Sequence, residues 1–412
     1  SAGGNGGAGG AGAAGVAGAG APNTITATIS VGARPREVAV SPDGRYAYIT
    51  NNGGASVSVI DTATNSVTAT IGGFTNPFGV AISPDGSHAY VTNNSVSGTV
   101  SVIDTAANQV TATIGSFSSP VGVAVSPDGT RTFITNSGDG TVSVIDTATN
   151  TITATIGGFT VPWGVASSPD GTRSYITDYV SGGTVSVLDT ATNRVTATIG
   201  GFDEPTGVAI SPDGSSAYVA NSGNGTVSVV DTATNQVTAT IGGFRWNADT
   251  LSVAVSPDGT RVYVTNDGGD ETSVVDTAIN TITAIIGGFT GPLGVAVSPD
   301  GTRVFVTNAG GSSVSVLDTA SGAGGNGGVG GDGGAVGDGG AGGAGGAGAP
   351  GSAGLAGATA GAAGLGGIAG GNGGVGGSGG AGGATSGDGG AGGAGGSGAK
   401  GGAGGAGADG TA

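Results

Sequence analysis

The chain has 412 residues, 96 of them glycine, and carries a net charge of −17 from 27 acidic against 10 basic side chains. It has no Cys, no Met and a single His, which excludes a disulfide framework, a thiol nucleophile and the usual zinc, copper and haem sites. An acidic chain without a basic cluster argues against nucleic acid as a partner.

Residues 1–22 are almost wholly Gly and Ala, and 321–412 hold 48 glycines in 92 positions with no aromatic residue. Every Phe, Tyr and Trp lies between 23 and 320, so that segment is expected to form the core-bearing domain between two low-complexity flanks. The absence of an initiator Met and the start within a glycine tract point to a fragment or a processed product. No apolar run reaches about 18 residues, so no transmembrane segment is expected. The tail fits either a flexible linker or laterally bonded polyglycine-II-like helices.

The tetrad Ser-Pro-Asp-Gly begins at Ser41, Ser83, Ser126, Ser168, Ser211, Ser256 and Ser298, in steps of 42, 43, 42, 43, 45 and 42 residues. A period of that length marks a propeller or solenoid. In the first repeat, Glu37–Val40 reads as a strand. The tetrad follows as a tight turn, with Pro presetting φ and Gly taking positive φ. Arg45–Thr50 is a second strand and Asn51–Gly54 a loop. Ser56–Ile60 alternates at period two, Asp61–Asn65 is an Asx-type turn, and Val67–Ile71 alternates again. Four short antiparallel strands in about 42 residues make one propeller blade, whose faces are covered only by neighbouring blades. The fourteen aspartates of the two turns, Asp43, Asp85, Asp128, Asp170, Asp213, Asp258 and Asp300 with Asp61, Asp104, Asp146, Asp189, Asp231, Asp276 and Asp318, are therefore expected to be structural.

The fourth-strand pattern occurs at 24–29 before the first tetrad, and none follows Asp318-Thr319-Ala320. The N-terminal strand should then complete the last blade beside Ser313–Leu317 and close the ring. The expected fold is all-β: a seven-bladed propeller over 23–320, expected to be monomeric.

Tyr90-Val91-Thr92-Asn93 and Tyr263-Val264-Thr265-Asn266, with variants at 48–51, 133–136, 175–178, 218–221 and 305–308, resemble the YVTN family of β-propeller repeats. The GGAGG, GGNGG and GGVGG units of the flanks resemble the glycine-rich tract of mycobacterial PE-PGRS proteins. The resemblance implies an exported protein of the cell envelope or surface.

His88 occupies the slot of Arg131, Arg173, Arg261 and Arg303 and is expected to be an exposed surface position. No nucleophile elbow, phosphate loop or H-E-x-x-H motif is present. One near-match to a calcium nonapeptide, at 327–335, has Gly334 at the apolar position, so no metal site and no cofactor are expected.

Function is sought where one repeat departs from the others. The inter-blade loops share a Gly-Phe-x-x-Pro frame whose Phe is expected to wedge between blades. The departures are Arg34, Arg36, Glu37, Phe78, Trp163, Asp203, Glu204, Arg245, Trp246 and Asp249. Loops between the second and third strands add Asp178, Tyr179, Asp267, Asp270 and Glu271. Exposed aromatics beside charges are common binding anchors. These residues are the candidate binding set of a non-enzymatic interaction module for a protein, envelope or host ligand. Two alternatives stand beside it. One is a lactonase-like hydrolase, signalled by clustering of Asp203, Glu204, Asp249, Asp267 and Glu271; the other is a purely structural wall component.

Overall fold

The computed structural model describes residues 23–244 and 252–319. Both glycine-rich flanks lie outside the described residues, as do the alternatives for the tail and the candidates Arg245, Trp246 and Asp249.

Residues Ile25–Leu317 form one compact unit. It comprises seven separate four-stranded antiparallel sheets, each a blade running in chain order from an inner strand outward. Blade 1, for example, is built of Pro35–Val40, Tyr46–Asn51, Ser56–Asp61 and Ser66–Gly72. Blade 7 takes three strands from Pro292–Val297, Arg303–Asn308 and Ser313–Asp318 and its outermost strand from Thr24–Ser30. The expected closure is thus present, and Val31 N–H extends it by donating to the Ser312 carbonyl at 3.0 Å. Outside this unit, the Asn23 N–H donates to the Asp318 carbonyl at 2.7 Å.

The core is distributed. Seven hydrophobic clusters each draw on two adjacent blades, as one sheet's face requires when only the next sheet can cover it. The loop phenylalanines do act as wedges. Phe74 is 5% exposed and packs with Tyr48 and Val57 of blade 1 and with Val80 and Val91 of blade 2. The seam between blades 7 and 1 lacks that wedge, because Gly32 stands in the Phe slot. Ile29, Val38, Ile49, Phe305 and Val316 fill it instead.

One end of the ring is built from the two turn motifs. In the first tetrad Ser41 Oγ donates to Asp43 at 2.5 Å and accepts from Tyr46 N–H at 2.9 Å, while Gly44 has φ +74°. All seven tetrads carry this Ser–Asp bond. In six blades the Thr of the DTA turn then ties back to the tetrad, as when Thr62 Oγ1 donates to the Gly44 carbonyl at 2.6 Å. These bonds favour the ionised carboxylates. The hydroxyl of Ser83 is the main reason that Asp85 is held down at about 2, and Ser211 acts likewise on Asp213.

The arginine slot departs from expectation. Arg131, Arg173 and Arg303 are half-buried, and each donates to a DTA-turn carbonyl of the following blade: Thr190, Thr232 and Thr62 respectively. The last of these bonds crosses the closure seam. His88 in the same slot is likewise half-buried, with Nδ1 2.7 Å from Ser87 Oγ, and is not the exposed position expected of it.

Candidate functional site: the loop-face channel mouth

The opposite end carries the inter-blade loops and the loops between second and third strands. Here the inner strand of six blades enters the ring at a Pro, and its pairing with the second strand shifts register just after it, between Pro77 and Val80 for instance. Such bulges re-aim the side chain they contain. The residue after the Pro therefore lies at the rim of the channel, and in described blades it is Arg36, Phe78, Val121, Trp163, Thr206 or Leu293.

At the next position neighbouring inner strands approach closely. At Gly79, Gly122, Gly164 and Gly294 a Cβ would meet a carbonyl oxygen of the following inner strand at no more than 2.6 Å. The Thr of the YVTN motif holds these strands together. Its hydroxyl accepts from the N–H of the Gly position in its own blade and donates to the carbonyl of the rim residue in the next. Thr135 does both, to Gly122 N–H at 2.7 Å and the Trp163 carbonyl at 2.6 Å. Thr50, Thr92, Thr177, Thr265 and Thr307 repeat the arrangement.

Blade 1 breaks the pattern, since Glu37 stands in the Gly position. Its carboxylate approaches Gly294 and lines a cavity of about 190 Å3 in the channel with Val80, Val123, Val165 and Val208. Glu37 is the only acid and Arg36 the only base among the described lining residues. Burial pushes the Glu37 carboxyl up to about 7, against the opposing pull of Arg36 and of the Val38 N–H.

Four of the candidates meet above this cavity. The Arg36 guanidinium lies 3.6 Å over the Phe78 ring, a cation–π stack. Phe78 meets Trp163 edge-on at 5.6 Å, although the two come from blades 2 and 4. They close over blade 3, whose rim residue Val121 is only 2% exposed. Trp163 in turn packs on Tyr179 at 5.0 Å. All four side chains remain half-buried, so their outer surfaces reach solvent.

The other candidates fall elsewhere. Arg34 is exposed and covers Gly53 of the neighbouring loop. Asp178 points inward. It is 7% exposed in the slot that other blades fill with Asn, and its carboxylate accepts from Thr160 and Val161 N–H. Glu271 is also buried, accepting from Asn266 Nδ2 at 3.2 Å, and Asp270 accepts from Gly291 N–H at 2.7 Å. Asp203 lies beside Ser181 and Gly223, and Glu204 holds φ +47° with its carbonyl accepting from Ser222. Asp267 opens a short 3-10 turn. Among the described residues, no three of His, Asp or Glu are grouped as metal ligands. What sequence reasoning missed is the Arg-to-carbonyl bridging on the turn face and the Thr ties. Both use backbone partners in the next blade, although the Thr recurs in six of the seven motifs.

No described protein family and no curated protein matches the chain. Among solved structures it is similar to a hydrazine synthase chain of Kuenenia stuttgartiensis, at 25% identity and a TM-score of 0.64. The match covers 70% of this chain and 96% of that one. The shared feature is the propeller. Among the described residues no helix is long and apolar enough to cross a membrane.

Proposed function

We propose that the propeller is a non-enzymatic binding module that takes its ligand at the loop-face mouth, around Phe78, Trp163 and Tyr179. One observation carries the reading. The charged and aromatic side chains that blades 1, 2 and 4 place at the rim converge on one point of it. A rigid aromatic cluster flanked by charge is the usual anchor of a recognition surface. The glycine-rich flanks resemble those of exported mycobacterial proteins and support display at the cell envelope, with a protein or other envelope or host ligand as the partner. The net charge of −17 disfavours polyanions. The Glu37 carboxyl, raised to about 7 by burial, also gives the hydrolase alternative one feature it needs, a group able to exchange protons near neutral pH.

The test is comparative capture from envelope and host extracts by the immobilised full chain. Species lost from both Phe78→Ala and Trp163→Ala, but retained by Asp85→Asn on the turn face, are expected. Identical capture by all four proteins would remove the mouth as the binding surface.

A further inference from the structure

Resting on that reading of the mouth, we propose that the channel beneath it is a receptor for a primary alkylammonium group of the kind a lysine side chain presents. The ammonium would sit on the Glu37 carboxylate and the alkyl stem would lie against the channel valines.

Three observations lead there. The first is placement: Glu37 puts a full side chain at a position that five other blades keep as Gly, where the strands crowd together at Gly79, Gly122, Gly164 and Gly294. Within the ring its carboxylate meets the Val38 N–H and the charge of Arg36, and no Ser hydroxyl holds it as the tetrad aspartates are held on the turn face. The main-chain N–H of Glu37, by contrast, makes the ordinary bond to Thr50 at 3.0 Å. The second is the shape and lining of the cavity. Its volume of about 190 Å3 corresponds to roughly six groups of the size of a water molecule at about 30 Å3 each, enough for a four-carbon amine. Valine side chains from several blades line it together with main-chain groups of the inner strands, the Arg36–Glu37 charge pair, Thr206 and Ser252. A carboxylate beside valine side chains is complementary to an alkyl stem ending in one cation. The third is the entrance. Trp163 and Tyr179 place aromatic rings at the mouth, whose faces attract cations, and the strongly acidic chain raises the local concentration of cations. Arg36 does not fill this role, because its guanidinium is stacked on Phe78. It is the only other charged group facing Glu37 among the described lining residues, and it moderates the attraction without replacing the ligand.

The probe is Nα-acetyl-lysine methylamide, with the norleucine analogue as the uncharged control. Binding is read by calorimetry and by Trp163 emission in a Trp246→Phe background, which leaves Trp163 as the only tryptophan. Concentrations up to about 10 mM suffice to saturate a Kd near 1 mM. Saturable binding of the lysine probe is expected at pH 8.5, at least about 10-fold weaker for the norleucine probe and for Glu37→Gln. With the carboxyl titrating at about 7, binding should weaken about 30-fold between pH 8.5 and pH 5.5 as Glu37 takes up its proton and the ammonium keeps its charge. A Val123→Phe variant, which fills the cavity and leaves the carboxylate in place, should also lose the probe. Equal binding of the two probes, wild-type affinity in Glu37→Gln, or no saturable signal overturns the proposal. Failure of the lysine probe while Phe78→Ala and Trp163→Ala still abolish partner capture would sink this inference and leave the mouth reading intact.

Discussion

The two ends of the ring are built on opposite principles. On the turn face, all seven blades repeat one circuit of Ser, Asp and Gly, and six described DTA threonines wire it to the neighbouring turn. On the loop face, the same periodic backbone presents Arg36, Phe78, Val121, Trp163, Thr206 and Leu293 at equivalent rim positions, no two alike. Repetition marks what holds the ring, and departure marks what the ring displays. A residue that the repeat does not require can be selected for binding even when it weakens the fold.

Removing the closure tests the premise that both ends depend on one ring. Deleting residues 23–30 strips the outermost strand from blade 7 and uncovers the seam filled by Ile29, Phe305 and Val316. Lost burial of Ile25 and Ile29 and the lost edge hydrogen bonds amount to about 5–10 kcal/mol, a fall in Tm of about 10–20 °C. An unchanged thermal transition in a scanning calorimeter would break the closed-ring description and the comparison with it.

The next effect has the opposite sign. Glu37 has a carboxyl pKa of about 7 in the folded chain against an ordinary value of 4.5, so the folded state binds the proton more tightly than the unfolded state does. Folding stability is therefore undiminished below about pH 4.5 and is lost progressively as the pH rises through 7. The full loss is no more than about 3 kcal/mol, and less where water reaches the carboxylate. Glu37→Gln should accordingly raise Tm by several degrees at pH 8 and leave it unchanged at pH 4.5. A variant that melts lower than the parent at pH 8 would show that Glu37 supports the ring, placing it with the repeated residues.

Blade count, turn chemistry and ring closure were legible in the sequence because each is a periodic local signal. A tetrad at steps of 42–45 residues and a fourth-strand pattern displaced to the N-terminus leave few alternatives. Departure from the repeat also pointed to Arg36, Glu37, Phe78, Trp163 and Tyr179. It did not show that Phe78 and Trp163 touch, since that depends on how blade 3 recedes behind a small Val121. Nor does departure alone distinguish display from burial. Asp178 and Glu271 differ from their counterparts yet occupy inward slots, where the Asn and Ser or Thr of other blades form internal hydrogen bonds. The second strand is buried on both faces from Ser174 to Asp178, so its last residue lies inside whichever face it points to.

The smallest effect isolates the regular face. Ser126→Ala removes a hydroxyl that donates to Asp128 at 2.5 Å and accepts from Arg131 N–H at 3.0 Å, and should cost about 1–2 kcal/mol at pH 7. Ser126 is the leading reason that the Asp128 carboxyl is held below its ordinary range. A carboxyl depressed in the folded state contributes stability above its unfolded pKa and loses it as the pH falls through the folded value. The gap between the variant and the parent should therefore narrow on acidification below about pH 4, measured by denaturant melts across that range. The same change made at Ser41 or Ser211 should give a similar loss, and pairs of such changes should add, because the turns lie in separate blades. Strong non-additivity would mean that the tetrads act as one coupled belt, and the contrast between a repeated face and an individual one would then become a contrast between a cooperative face and an independent one.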